Sequence, residues 1–186
     1  MHIEIKNAEI TNTIFLKWEY DQTDMDRKTN IKAKADSPIH EDLREAFEKL
    51  IPHFVLLTEM KKKPQMAKII DLKQLDEDLL SKFKVRAFTL EEKNGETSVK
   101  ISGYKILTSG KAISFETPNT KRGNQEEGYE FFDELMICIE DLKDEILEYM
   151  EGKESERAQV AMEFGDEAED FEPETDLKAD AKTEAA

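Results

Sequence analysis

Between Phe83 and Thr117 the chain sets cations and aromatic rings at alternate positions. Lys84, Arg86 and Phe88 recur two apart in one segment, and Lys100 and Tyr104 keep an even spacing in the next. Alternate residues of an extended strand share a face, so these five side chains are expected on one side of a sheet. Lysine and arginine track phosphates while aromatic rings stack bases, each ring contributing roughly 1–3 kcal/mol to single-strand binding. Lys105 is expected to add to the charge, and Lys61, Lys62, Lys63, Lys121 and Arg122 to extend the patch. The expected chemistry is recognition of single-stranded DNA, with Lys84, Arg86, Phe88, Lys100, Tyr104 and Lys105 as the contacts. The alternative is structural. Alternation does not say which face looks inward, and with this face buried Phe88 and Tyr104 belong to the core.

Other chemistry has less support. His2, His40 and His53 are scattered, with neither an HxxxH nor an HExxH pair, so no metal ligation is expected. Thr108-Ser109-Gly110-Lys111 has lysine after glycine, as a phosphate loop does, but Lys105 and Ala112 stand where that loop needs glycine and Ser/Thr. A hairpin turn is the better reading. Cys138 falls between Leu135 and Leu142 in a helical stretch, where a small buried hydrophobe accounts for it. Most carboxylates fall on solvated helix faces or in the C-terminal tail. No catalytic residue, metal or cofactor is therefore expected, and the chain reads as non-enzymatic.

The elements that must hold the basic-aromatic face follow from turn chemistry. Asn94-Gly95 between two segments rich in β-branched and aromatic residues is a hairpin signal, because both central residues of a type I′ turn need φ > 0. With Thr108-Ser109-Gly110 as a second turn, 83–117 is a three-strand meander. Residues 2–10 and 13–20 predict two further strands paired around Thr11-Asn12, with Leu16, Trp18 and Tyr20 on one face. Residues 21–27 predict a polar loop and 28–36 a third strand. Ser37-Pro38 is expected to open a helix whose face carries Ile39, Leu43, Phe47, Leu50, Phe54 and Leu57. Pro52 should kink or split it, since proline removes one backbone hydrogen bond. Residues 75–83 predict a short helix, and 117–128 a polar loop. A long helix is expected over 126–151, striped by Phe132, Leu135, Met136, Ile139, Leu142, Ile146, Tyr149 and Met150, with Gly152 as its stop. Residues 157–164 are expected to add a last strand.

The fold class that results is α+β: two antiparallel meander-plus-helix units forming a curved sheet or partial barrel with two main helices. Of 186 residues, 1–164 form one domain and 165–186 a disordered acidic tail. The net charge of −16 is uneven. Residues 163–186 hold ten acids against Lys178 and Lys182, so half of the excess lies in that short stretch. Local patches rather than totals decide nucleic-acid binding, so the acidic balance does not exclude it. A single cysteine precludes an intramolecular disulfide. MHIEIKNAEI has no basic region ahead of an apolar run, and no stretch approaches 18 apolar residues, so a cytoplasmic protein without membrane contact is expected.

The segments SPIHEDLREAFEKLIPHFVLL and VKISGYKILTSGKAISFETP resemble small uncharacterised acidic proteins of tailed phages and prophages. The doubled meander-plus-helix order is similar to the single-strand-binding folds of Whirly and Pur-type proteins. The acidic tail resembles the acidic ends of phage and bacterial single-stranded-DNA-binding proteins, with Phe164 and Phe171 as anchors, but KADAKTEAA lacks their terminal acidic-aromatic signature. These resemblances imply a single-stranded-DNA-binding or recombination/replication accessory protein acting in a host cytoplasm. Its partners would be single-stranded DNA and, through the tail, replication or host proteins. The tail itself has three readings: it solubilises, it competes with nucleic acid for a basic groove, or it recruits partners. The alternative function is an acidic protein-interaction module or inhibitor of a host protein.

Overall fold

The computed structural model describes residues 2–25, 27–58, 72–122 and 129–153. The first meander runs through β1 (His2–Thr11), β2 (Phe15–Asp24) and β3 (Arg27–Lys34), and the second through β4 (Phe83–Lys93), β5 (Glu96–Ile106) and β6 (Ala112–Glu116). A short β7 (Thr120–Lys121) returns to pair with β5. The turn residues behave as their types require. Asn94 and Gly95 both take positive φ, 57° and 76°, and Gly110 does so at the second turn. Asn12 and Thr13 turn β1 into β2, also with positive φ. The expected loop over 21–27 is shorter: β2 continues to Asp24, because Asp21 is held by the Asn30 amide at 3.0 Å and the Lys28 ammonium at 2.9 Å across β3.

The two meanders join into one open antiparallel sheet of order β3-β2-β1-β4-β5-β6. The central seam is thin. β1 and β4 pair only at Asn7–Thr89, Ala8–Phe88 and Glu9–Ala87, whereas β4 and β5 pair along nearly their whole length. Beyond Glu9 the two strands part.

One sheet face is covered by helices. The expected helix is split into α1 (Glu41–Glu48) and α2 (Ile51–Leu57), with Pro52 in the first turn of α2. Proline has no N–H to lose there, so the chain breaks at Lys49–Leu50 and restarts on the proline. The expected cap is Ser37, and the structure puts His40 there instead. His40 caps α1, its Nδ1 accepting from the Leu43 N–H at 3.1 Å, while the Ser37 carbonyl accepts from the Tyr149 hydroxyl at 2.5 Å. A 3₁₀ turn (Leu72–Gln74) and the short α3 (Glu77–Leu80) lead into β4. α4 (Phe132–Met150) begins six residues later than expected and carries the expected stripe: Phe132, Leu135, Ile139, Leu142, Ile146 and Tyr149 are buried. Gly152, at φ 105°, follows it. Ile5, Ala8, Leu16, Phe83, Val85, Phe88, Val99 and Ile101 meet these helices in one core. No helix among the described residues is long and apolar enough to cross a membrane. The strand expected over 157–164, the domain boundary after residue 164, the tail over 165–186 and the Lys61–Lys63 cluster lie outside the described residues.

Candidate functional site

Strict alternation would put Phe88 beside Lys84 and Arg86. It does not hold across Arg86. Val85 faces Gly103 and Ala87 faces Ser102, so two steps along β4 match one along β5 and Arg86 is the extra residue of a β-bulge. The bulge exchanges the two faces of the strand. Phe83 and Val85 point inward before it and Phe88 after it, so Phe88 is 1 % exposed and packs 6.4 Å, ring to ring, from Phe47. Phe88 is a core residue with no free face for a base. Ala87 lies on the outer face, opposite Glu9 of β1.

The other five residues separate. Lys84 and Tyr104 face each other across β4–β5 on the outer face, and Lys100 shares that face further along, opposite Thr89. Lys105 pairs with Phe83 and belongs to the helix-covered face, its ammonium 5.4 Å from the Phe83 ring centroid. Three of the cations already hold carboxylates: Lys84 with Glu48 at 2.7 Å, Arg86 with Glu9 at 3.3 Å, and Lys100 with Glu116. The Lys100 contact pulls the Glu116 carboxyl below its ordinary range. Much of the outer face is built this way, for Lys6, Lys28 and Lys32 sit against Glu4, Asp21 and Glu19. Pairs with an exposed cation exchange readily with other ions.

Where β1 and β4 part, a cleft of about 660 Å³ opens through the seam. Its floor includes Phe47 of α1. Around it stand Lys84, Arg86 and Tyr104, together with Lys17, Lys34 and Arg44, which sequence reading did not single out. Five cations against Glu9 and Glu48 make this a positive site on a chain whose net charge is −16. Lys17 and Lys34 are exposed, face each other across β2–β3, and have no ion-pair partner among the described residues. Arg44 donates to the Thr13 carbonyl at 3.4 Å, tying α1 to the turn that rims the cleft. The arrangement suits an anion with several charged oxygens: two unpaired ammonium groups meet it first, and the Lys84 and Arg86 cations exchange a carboxylate for it. Among the described residues Tyr104 is the one aromatic ring at the rim, so the cleft offers less surface for stacking than the sequence led one to expect.

Two clusters elsewhere gather titratable groups. His40, Asp42 and Glu145 place ligand-type atoms within 4.8 Å of one another. The Leu43 N–H donates to His40 Nδ1, which leaves the ring hydrogen on Nε2, 3.8 Å from Glu145; that nitrogen has no lone pair for a metal. The carboxylates instead hold Lys153, at 2.8 Å from Asp42, 2.8 Å from Glu145 and 2.7 Å from Glu148, and these contacts push the Lys153 ammonium's pKa up. The second cluster is a buried relay: His53 Nδ1 lies 2.8 Å from the Tyr129 hydroxyl and Nε2 lies 3.9 Å from Cys138 Sγ. Burial pushes His53 down to about 4 and raises both Tyr129 and Cys138, so all three are held neutral at pH 7. A thiol held protonated beside an imidazole that resists protonation is poorly set up for nucleophilic chemistry.

Comparison of the chain with family models, with curated proteins and with solved structures gave no match.

Proposed function

We propose that this chain is a non-catalytic protein that binds single-stranded DNA, as an accessory of replication or recombination, by taking the phosphate backbone into the cleft between β1 and β4. The observation that carries the reading is the cation excess at that cleft, Lys17, Lys34, Arg44, Lys84 and Arg86 against two acids, on an otherwise acidic protein. Its volume lies within the roughly 300–1,000 Å³ of small-ligand sites, so it suits a short run of extended backbone better than a duplex. Lys100 and Lys105 fall outside this cleft and Phe88 lies in the core, so none of the three is a contact in this reading.

The test is fluorescence-anisotropy titration of labelled single- and double-stranded oligonucleotides across a salt series. Five phosphate contacts on a single strand give a log K against log salt slope no steeper than about −3.5. Lys17→Ala and Lys34→Ala should each weaken binding and flatten that slope by about 0.7, since each removes one phosphate contact and its released counterion. Lys100→Ala, outside the cleft, should leave both unchanged. Absence of binding at low salt, or equal effects from all three substitutions, sinks the reading.

A second reading draws on the exposed side of α4. Ile137 stands 62 % exposed among Asp133, Glu134, Glu140 and Asp141, a pattern suited to a basic protein surface with an apolar pocket. That reading expects no oligonucleotide binding and a protein complex that Ile137→Lys abolishes.

A further inference from the structure

We infer that the β1–β4 cleft is a phosphomonoester site: it holds the doubly charged phosphate that ends a phosphorylated single strand in preference to the singly charged phosphates of the strand's interior. The inference rests on the cleft reading above and adds which part of the strand is held. The first observation is shape. β1 and β4 pair as far as Glu9–Ala87, so the sheet closes one end of the cleft there. Beneath it lie Arg44, Phe47 and Glu48 of α1, and Phe47 is 1 % exposed. The cleft is therefore a notch, stopped at one end and at its floor. An internal stretch of strand drapes over such a notch, whereas a terminus enters it. The wall on the β1 side is set in advance. Asn12 and Thr13 hold φ at 50° and 68°, costly for a β-branched threonine, and Arg44 donates to the Thr13 carbonyl at 3.4 Å.

The second observation is where the charges stand along the notch. Lys34, Lys17, Glu9 and Ala87 form one row across β3, β2, β1 and β4, because each pairs directly with the next. That row is the closed end. The two lysines with no ion-pair partner among the described residues thus stand where a terminus would stop. Arg86 joins them, 3.3 Å from Glu9. A phosphomonoester carries about −1.5 to −2 charges at pH 7 and three strong acceptor oxygens. An internal phosphate carries a single charge. One terminal phosphate matches both unpaired ammonium groups, and one internal phosphate leaves the second without a counter-charge.

The third observation is the open end. Lys84 and Tyr104 face each other across β4–β5 there, on the Phe83 side of Arg86. From Ala87 to Lys84 the strand runs at most about 10 Å at roughly 3.3 Å per residue, which leaves room for the sugar and base of the terminal nucleotide. The Tyr104 ring is placed at the rim for that base, and Lys84 for the phosphate that follows it.

The experiment titrates the full chain, by fluorescence anisotropy at low salt, with single-stranded oligonucleotides of one sequence and an internal label. They carry a 5′-phosphate, a 3′-phosphate or hydroxyl groups at both ends, and a fourth is a closed circle. Thymidine monophosphate is titrated separately and followed by amide NMR. At least one phosphorylated strand should bind about ten-fold tighter than the hydroxyl strand and the circle, the worth of a further charge-assisted hydrogen bond. Lys17→Ala combined with Lys34→Ala should bring that ratio close to one, and Lys100→Ala should leave it unchanged. Equal binding of all four oligonucleotides overturns the inference and leaves the single-strand reading standing. A preference for phosphorylated ends that survives the double substitution also overturns it, since the end is then held elsewhere. Thymidine monophosphate shifting the amides of Lys17, Lys34 and Arg86, with no oligonucleotide bound, would uphold the phosphomonoester site, assign it to a free nucleotide and remove DNA from it. No binding of any of these probes would overturn both readings.

Discussion

Single residues in this protein take their roles from burial. Phe88 is the clearest case: its ring lies at the sheet–helix junction against Phe47, so Phe88→Ala removes core and should cost about 3–5 kcal/mol in chemical denaturation. A loss below about 1 kcal/mol would mean that the ring is not in the core. His53 is the other. It is 1 % exposed, and burial holds its pKa at about 4, below the unfolded value of about 6.5. A base with a depressed folded pKa contributes stability that is complete above the unfolded value and is lost as pH falls from about 6.5 towards about 4. The upper limit of that loss is about 3 kcal/mol. Urea denaturation of the wild type between pH 7 and pH 4 should show this decline, and His53→Gln, which has no proton to gain, should flatten it. The Tyr129 and Cys138 groups that touch His53 stay neutral throughout that window, since burial raises both. An equal decline in the variant would assign the acid sensitivity to carboxylates or to the buried His40, whose pKa burial also lowers.

Among the elements, two local irregularities set the site. The Arg86 bulge turns the first residues of β4 out of phase with the rest, which places Lys84 and Arg86 on the outer face while Phe83, Val85 and Phe88 all reach the core. Gly103, opposite Val85, lets α2 sit close to the sheet. A Cβ there would collide with the Lys84 carbonyl oxygen and lie 2.9 Å from the Phe54 ring, which stacks on Phe115 with centroids 4.9 Å apart. Gly103→Ala should therefore destabilise the fold by about 1–3 kcal/mol through overpacking, and thermal unfolding measures it. Since Lys84 flanks the cleft, the same substitution should also weaken any anion binding there. A neutral Gly103→Ala would show that backbone and ring move aside without cost.

For the whole molecule, charge is the controlling quantity. The outer sheet face is laced with ion pairs whose cations are exposed, while the net charge of −16 opposes compaction. Raising salt from about 0.01 M to about 1 M shortens the Debye length from about 30 Å to about 3 Å, which screens both. Because the repulsion sums over the whole chain and the pairs do not, the melting temperature should rise by a few degrees across that range. A fall would show that the paired network outweighs the repulsion.

What could be read from the amino acids alone was local. Asn94-Gly95 closes a hairpin because of its own φ preferences, Pro52 breaks a helix because it lacks an N–H, and the apolar stripe from Phe132 to Tyr149 needs no partner to be recognised. The α+β class follows from that order of elements. Which sheet face looks inward was not legible, because one inserted residue reverses the pleat and no composition marks Arg86 as that residue. Nor was the cleft. It takes cations from β2, β3, α1 and β4, up to 69 positions apart in Lys17 and Arg86, and they meet only because β1 and β4 pair at three positions and then part. Hydrophobic periodicity is set within each element and survives in the sequence, whereas register between elements comes from packing that no single segment contains.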